Sequence, residues 1–272
     1  VLANVFYEPS TRTSCSFQAA MLRLGGSVIC VAESTSSAKK GETLEDTARS
    51  LGCYADVVVL RHPEAGAAAR AAGALPPGLP LLNAGDGVGE HPTQAVLDLY
   101  TLCRELSPAG APALPPRACL KGKTVVLVGD LKHGRTVHSL AKMLAAFDVA
   151  LVFVAPPELA MPAGVAAAVD AGTATRAEAP SLAAALVDAD ALYVTRVQKE
   201  RFPDAAAYEA VRGSYVVDAQ LMKTAKPSCA VLHPLPRVDE ISADFDSDPR
   251  AAYFRQMRNG LFARMALLDL VL

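Results

Sequence analysis

Four short groups of residues in this chain have types and spacing suited to holding anions. The first is Ser10-Thr11-Arg12-Thr13. Phe17, Ala20, Met21 and Leu24 follow it at i, i+3, i+4 and i+7, one apolar face of a helix, and Gly25-Gly26 supplies a left-handed stop. The tetrad therefore falls on the first turn of a helix. Backbone N–H groups lack intrahelical acceptors there and the dipole is positive, while three hydroxyls and the Arg12 fork add further donors. A phosphate suits such a site; an ordinary Ser/Thr cap beside a surface arginine is the competing account.

The second group is His91-Pro92-Thr93-Gln94, where a glycine-rich turn from Asn83 runs into a helix with Pro92 near its first position. Val96, Leu99, Tyr100 and Cys103 are expected on its apolar face. The third is Gly129-Asp130-Leu131-Lys132-His133-Gly134-Arg135, a strand-turn-helix junction. It fails as a dinucleotide fingerprint, because Leu131 stands where a second glycine must admit the pyrophosphate. Lys132 and Arg135 suit a small carboxylate instead, with a plain surface pair as the alternative. The fourth is Thr195-Arg196-Val197-Gln198-Lys199-Glu200-Arg201, directly after an apolar strand. It offers the Arg196 fork and the Gln198 amide, although charge this dense is also what a solvated loop carries. His233-Pro234-Leu235-Pro236-Arg237 adds a loop stiffened by two prolines, either a rigid turn or a frame for carbonyls that accept from an amine or amide.

Nothing in the chain matches a nucleophile elbow, a paired Cys and His, a zinc motif or a P-loop. Donors, arginines and one well-placed histidine suit transfer from a phosphorylated electrophile by positioning and charge stabilisation, with no metal and no cofactor.

The elements that must position these groups alternate. Strands are expected at 1–7, 27–32, 56–61 and 79–84, and after the break at 124–128, 149–154, 191–195, 215–217 and 230–233. Helices are expected between them, with a polar loop at 33–43 and an apolar terminal helix from about 259 to 272. Such alternation gives an α/β fold of two doubly wound domains, each a parallel sheet flanked by helices, with the active site in the interdomain cleft. The proline-rich stretch from Ser107 to Lys123 is the expected boundary. It separates residues 1–106, rejoined by 259–272, from 107–258.

With 272 residues, 51% hydrophobic and a net charge of −2, the chain can build two cores but carries no basic stripe for nucleic acid. No apolar run approaches the ~20 residues needed to span a bilayer. Its six cysteines stand singly and read as buried free thiols of a reducing compartment. The chain opens at Val1, without Met, in what reads as the end of a strand, so further residues and any targeting segment are expected to precede it.

Taken together in order, these motifs resemble the aspartate carbamoyltransferase catalytic-chain family. The resemblance also draws in Ser36 through Glu42 with Lys39-Lys40-Gly41-Glu42, Arg61-His62-Pro63 and Gly134-Arg135-Thr136. It implies transfer of the carbamoyl group of carbamoyl phosphate to L-aspartate, an early committed step of pyrimidine synthesis. Ser10, Thr11, Arg12 and Thr13 would hold the phosphate with Arg61. Thr13, Arg61 and His91 would face the carbamoyl oxygen, and Gln94 with the Leu235-Pro236 loop would orient the NH₂. Arg135, Thr136, Arg196 and Gln198, with Lys132 near them, would clamp aspartate. The family is a trimer with shared sites, to which Ser36 and Lys40 would contribute from a neighbouring subunit. A regulatory subunit or fusion to other pyrimidine-pathway domains would fit the family, in the cytoplasm or a plastid. Ornithine carbamoyltransferase is the near alternative, but its family has a cysteine in an H-C-L-P loop where this chain has His233-Pro234-Leu235-Pro236. A silent structural paralogue would be expected to lack Arg12, Lys40, Arg61 or His91, and all four are present.

Overall fold

The computed structural model describes residues 1–108, 110, 112, 114–198, 202 and 204–272. Lys199, Glu200 and Arg201 of the charged run lie outside the described residues. The chain folds as two compact units, Val1–Leu97 with Met257–Leu272, and Asp98–Gln256. The division falls inside two helices, α4 (Pro92–Leu106) and α10 (Tyr253–Val271), and not in the proline-rich stretch. Proline interrupts local hydrogen bonding but does not decide which core a helix joins, and the second half of α4 packs with the later strands.

The first unit holds β1 (Leu2–Phe6), α1 (Thr11–Arg23), β2 (Val28–Ala32), α2 (Leu44–Gly52), β3 (Val57–His62), α3 (Ala67–Ala74) and β4 (Leu81–Asp86). Its four strands are parallel in the order β2-β1-β3-β4. Strand side chains alternate between faces. Ala3, Val5, Val58 and Leu60 meet Ala48 of α2 and Ala71 of α3, while Leu2, Val57 and Val59 meet Phe17, Ala20 and Met21 of α1 and Leu268 of α10. Full burial of Phe17 contributes roughly 1.5–3 kcal/mol. Thr43 caps α2 by accepting from the Asp46 N–H at 3.1 Å.

The second unit holds α5 (Pro116–Cys119), β5 (Lys123–Val128), α6 (Arg135–Leu144), β6 (Val149–Val154), α7 (Ala163–Asp170), β7 (Thr175–Glu178), α8 (Leu182–Leu186), β8 (Ala191–Val194), α9 (Ala205–Val211) and β9 (Ala230–Leu232). The five strands are parallel in the order β7-β6-β5-β8-β9. Val125, Leu127 and Tyr193 face Leu140 and Leu144 of α6; Val126, Val128 and Leu192 face Leu182 and Leu186 of α8.

Several sequence expectations need correction. β7 was not anticipated, because Thr-Arg-Ala-Glu at a sheet edge has no apolar run. Residues 215–217 form a single bridge, Val217 to Ile241, not a strand. The terminal helix begins at Tyr253, since Asn259 and Gly260 do not break it once Gly260 packs against Leu97. Leu24 is exposed past the end of α1, and α4 buries Ala95, Leu97 and Leu102 while Val96, Leu99 and Tyr100 are half-buried. Cys15, Cys30 and Cys53 are exposed, Cys30 because β2 is an edge strand; Cys103, Cys119 and Cys229 are buried. No helix is long and apolar enough to cross a membrane among the described residues.

Candidate active site

In a doubly wound sheet, ligands collect where neighbouring strands send their connections in opposite directions. In the first unit that point lies between β1, which runs on to β2, and β3, which runs on to β4. In the second it lies between β5 and β8. Ser10–Thr13, Arg61, Lys132, Arg135 and Arg196 lie at or just beyond the carboxyl ends of these strands, His91 and Leu235 follow the neighbouring strands β4 and β9, and Ser36 and Lys40 follow β2.

At the first switch point, β1 leads straight into the anion tetrad. Ser10 is the N-cap of α1 in extended backbone, with no hydrogen bond from its hydroxyl to the helix, and no acidic residue occupies the first turn. The turn is anchored from below: buried Asn4 donates to Ser14 Oγ at 2.9 Å. Thr13 is buried, whereas Thr11 and Arg12 are exposed. Phe6 pairs with Arg61 across the sheet. Arg61, only 7% exposed, donates to Glu8 Oε1 at 2.7 Å and to the Ala84 carbonyl at 3.3 Å. Its Nη1 lies 3.4 Å from His91 Nε2.

The turn that delivers His91 is folded by Asp86, whose carboxylate accepts from the Glu90 N–H at 2.8 Å and the Gly66 N–H at 3.0 Å. Gly87, at φ +58°, lies so near the Pro63 carbonyl that a Cβ would come within 2.1 Å of its oxygen. Gln94, buried, sits on the first turn of α4 and donates its N–H to the His91 carbonyl at 3.0 Å. The unit thus brings Ser10–Thr13, Arg61, His91 and Gln94 to one end of its sheet. Ser36 and Lys40 lie on two short 3-10 turns before α2. Lys40 is exposed, and Ser36 is spent locally, accepting from the Ala38 N–H and donating to the Glu33 carbonyl.

At the second switch point the turn after β5 is held by a buried acid. Asp130 is fully buried; Oδ1 accepts from the His133 N–H at 2.9 Å, and Oδ2 from the Gln198 N–H at 3.3 Å. One carboxylate thereby fastens the Lys132 turn to the Arg196–Gln198 segment. Gly129, at φ +112°, permits the convergence, since a Cβ there would lie 2.1 Å from the Thr195 carbonyl oxygen. Lys132 is exposed, and Arg135, Thr136, Arg196 and Gln198 are half-buried. The Tyr193 phenol donates to Asp98 at 2.8 Å. Burial first, then the Asp98 charge, pushes that phenol well above its usual range.

The loop after β9 is framed by a buried relay. The His233 N–H donates to Gln256 Oε1 at 2.8 Å, and Gln256 donates to Asp98 at 2.6 Å. The Leu235 N–H donates to His233 Nδ1 at 2.8 Å, so Nδ1 is the unprotonated nitrogen and Nε2–H donates to Glu240 at 2.6 Å. The other Glu240 oxygen accepts from the Val238 and Asp239 N–H groups. Burial pushes Glu240 up, but the hydrogen bond from His233 and the backbone N–H bonds outweigh it and hold this carboxyl below its usual range. Among the described residues Leu235 is the one non-glycine with positive φ, at +50°, and it precedes a cis bond to Pro236. The relay fixes where its carbonyl can point.

Sequence reasoning missed Glu8, Asp86, Asp130, Glu240 and Gln256. Asp86 and Asp130 carry a local signal, each an acid after a glycine at a strand end. Glu240 acts on residues within seven positions, whereas Glu8 and Gln256 act through partners far along the chain. No cluster of metal-ligating side chains occurs among the described residues.

The family model for the aspartate/ornithine carbamoyltransferase carbamoyl-P binding domain matches residues 1–104, and that for the Asp/Orn binding domain matches 121–271. The chain is 52% identical, over its whole length, to the multifunctional protein CAD of Squalus acanthias, but spans only 12% of that protein. It is 49% identical to the chloroplastic aspartate carbamoyltransferase of Arabidopsis thaliana, covering all of this chain and 67% of the relative. Aspartate transcarbamoylase from Trypanosoma cruzi, solved in complex with carbamoyl phosphate and aspartate, superposes with a TM-score of 0.86 at 45% identity, over 98% of this chain and 83% of that one.

Proposed function

Because the chain belongs to the aspartate/ornithine carbamoyltransferase family, we propose that it transfers the carbamoyl group of carbamoyl phosphate to the α-amine of L-aspartate. The products are N-carbamoyl-L-aspartate and phosphate, in an early step of pyrimidine synthesis. The observation that supports this reading is that each unit has a furnished switch point of its own, the first with a helix N-terminus and a buried Arg61–His91 pair, the second with a cationic rim.

Carbamoyl phosphate binds the first unit. Ser10, Thr11, Arg12 and Thr13 take the phosphate through backbone and side-chain donors. Thr13, Arg61 and His91 face the carbamoyl oxygen, where negative charge grows as the amine adds; each such donor is worth about 10²–10³ in rate. Gln94 and the Leu235 carbonyl orient the NH₂. Arg135, Arg196 and Gln198, with Lys132 and Thr136 beside them, hold the two aspartate carboxylates. The neutral amine attacks the carbamoyl carbon, the tetrahedral adduct collapses, and the departing phosphate accepts the proton, so that no separate general base is needed. The working form is a homotrimer in which a neighbour lends Ser36 and Lys40, located in the cytoplasm or a plastid and open to fusion with other pathway domains.

The test is carbamoyl transfer by the purified chain with aspartate and ornithine as parallel acceptors. Product from aspartate alone, with one phosphate released per carbamoyl transferred, is expected. Product from ornithine would overturn the roles given to Arg135 and Arg196.

A further inference from the structure

Cys103 and Cys119 carry chemistry that the proposed reaction does not use. Cys103 lies in the last turn of α4 and Cys119 ends α5, and both are buried among Leu102, Leu120 and Leu140 in the second unit. Their Sγ atoms are 3.0 Å apart, inside the van der Waals contact of two sulfurs, yet both are free thiols.

We propose that Cys103 and Cys119 form an oxidation site at which a peroxide converts the buried pair into an intramolecular disulfide fastening α5 to α4. Cys119, as the thiolate, attacks one oxygen of hydrogen peroxide. The S–O bond forms as the O–O bond breaks, and the hydroxide released takes up the thiol's proton to become water. Cys119 is then a sulfenic acid. The Cys103 thiol attacks that sulfur, an S–S bond replaces the S–O bond, and the departing hydroxide leaves with the Cys103 proton as a second water. Two thiols and one peroxide give one disulfide and two waters, and the two electrons pass from sulfur to oxygen.

Three observations favour this pair over the other cysteines. The resolving thiol is already in contact, so the sulfenic acid is captured without rearrangement; Cys15, Cys30 and Cys53 are exposed and have no such neighbour. The two sulfurs also divide the roles. Cys119 stands on the short α5 turn, where its thiol donates to Cys103 Sγ at 3.0 Å and reaches the Pro116 carbonyl at 3.6 Å, whereas Cys103 sits inside the longer helix α4. Finally, α5 is a single short turn held by N–H bonds to the Pro115 and Pro116 carbonyls. Local opening can admit a small oxidant there without disturbing the sheet. The cross-link would close the proline-rich segment between the two cysteines and so constrain the unfolded chain.

The experiment uses the full chain with Cys15→Ser, Cys30→Ser and Cys53→Ser, treated with stoichiometric hydrogen peroxide, alkylated and analysed by intact mass and peptide mapping. Expected are a loss of about 2 Da, a peptide linking Cys103 to Cys119, and a thermal midpoint raised by about 5–10 °C, reversed by a dithiol reductant. Adding Cys119→Ser, or Cys103→Ala should the first not fold, abolishes the link and the rise. Two outcomes would overturn the proposal: oxygen added at either sulfur without a link, or both thiols still alkylated on denaturation after peroxide has been consumed.

Discussion

In the first unit the charge buried at the switch point is a cation, Arg61, with Glu8 as its partner at 2.7 Å. In the second it is an acid, Asp130, and the cations Lys132, Arg135 and Arg196 stand on its rim, exposed or half-buried. Both sheets are parallel and doubly wound with a switch point between two central strands, so this contrast lies in the residues placed there. Donors fixed in a low-dielectric site act most strongly on charge that appears only in the transition state. Cations on a partly exposed rim are suited to a substrate that is already charged. Losses in the first unit should therefore fall on kcat, and losses in the second on the aspartate KM.

The largest expected effect comes from Arg61→Ala, which removes the donor proposed to face the growing oxyanion and breaks the Arg61–Glu8 ion pair. We expect kcat to fall by about 10²–10³ or more while circular dichroism stays native. A kcat within a factor of three would erase the contrast. Asp130→Asn sharpens it from the other side: the side-chain NH₂ now faces either the His133 or the Gln198 N–H, which loosens the clamp. An aspartate KM raised about tenfold, with kcat nearly unchanged, is the expected steady-state result. The smallest effect is on stability. Glu240 is held below its usual value in the folded chain, so its contribution is fully present above about pH 4.5 and lost as pH falls through the lowered value. Glu240→Gln should lower the thermal midpoint by about 2–4 °C at neutral pH and flatten its decline in acid. Parallel profiles for the two proteins would remove the relay from the account.

What could be read from the sequence was whatever is local. Strand-helix alternation gave both parallel sheets, and Ser10–Thr13, His91, Arg135 and Arg196 were each marked by a strand end or a helix start within a few residues. The edge strand Thr175–Glu178 had no apolar run to reveal it. The boundary within α4 depended on which core each half of a continuous helix joins. The framework behind the site was also out of reach: Glu8 meets Arg61, and Gln256 meets Asp98 and His233, only after the chain has closed on itself. Periodicity reports which face is apolar, but not which distant residue completes a buried polar group.

The division of labour is tested most directly by measuring both substrates' KM and kcat in Arg12→Ala and Arg196→Ala side by side. Arg12, though exposed, is proposed to stabilise the charge that grows on the departing phosphate, so the account predicts a collapse of kcat in the first and a rise confined to the aspartate KM in the second. A near-normal kcat in Arg12→Ala, or an unchanged aspartate KM in Arg196→Ala, would contradict it.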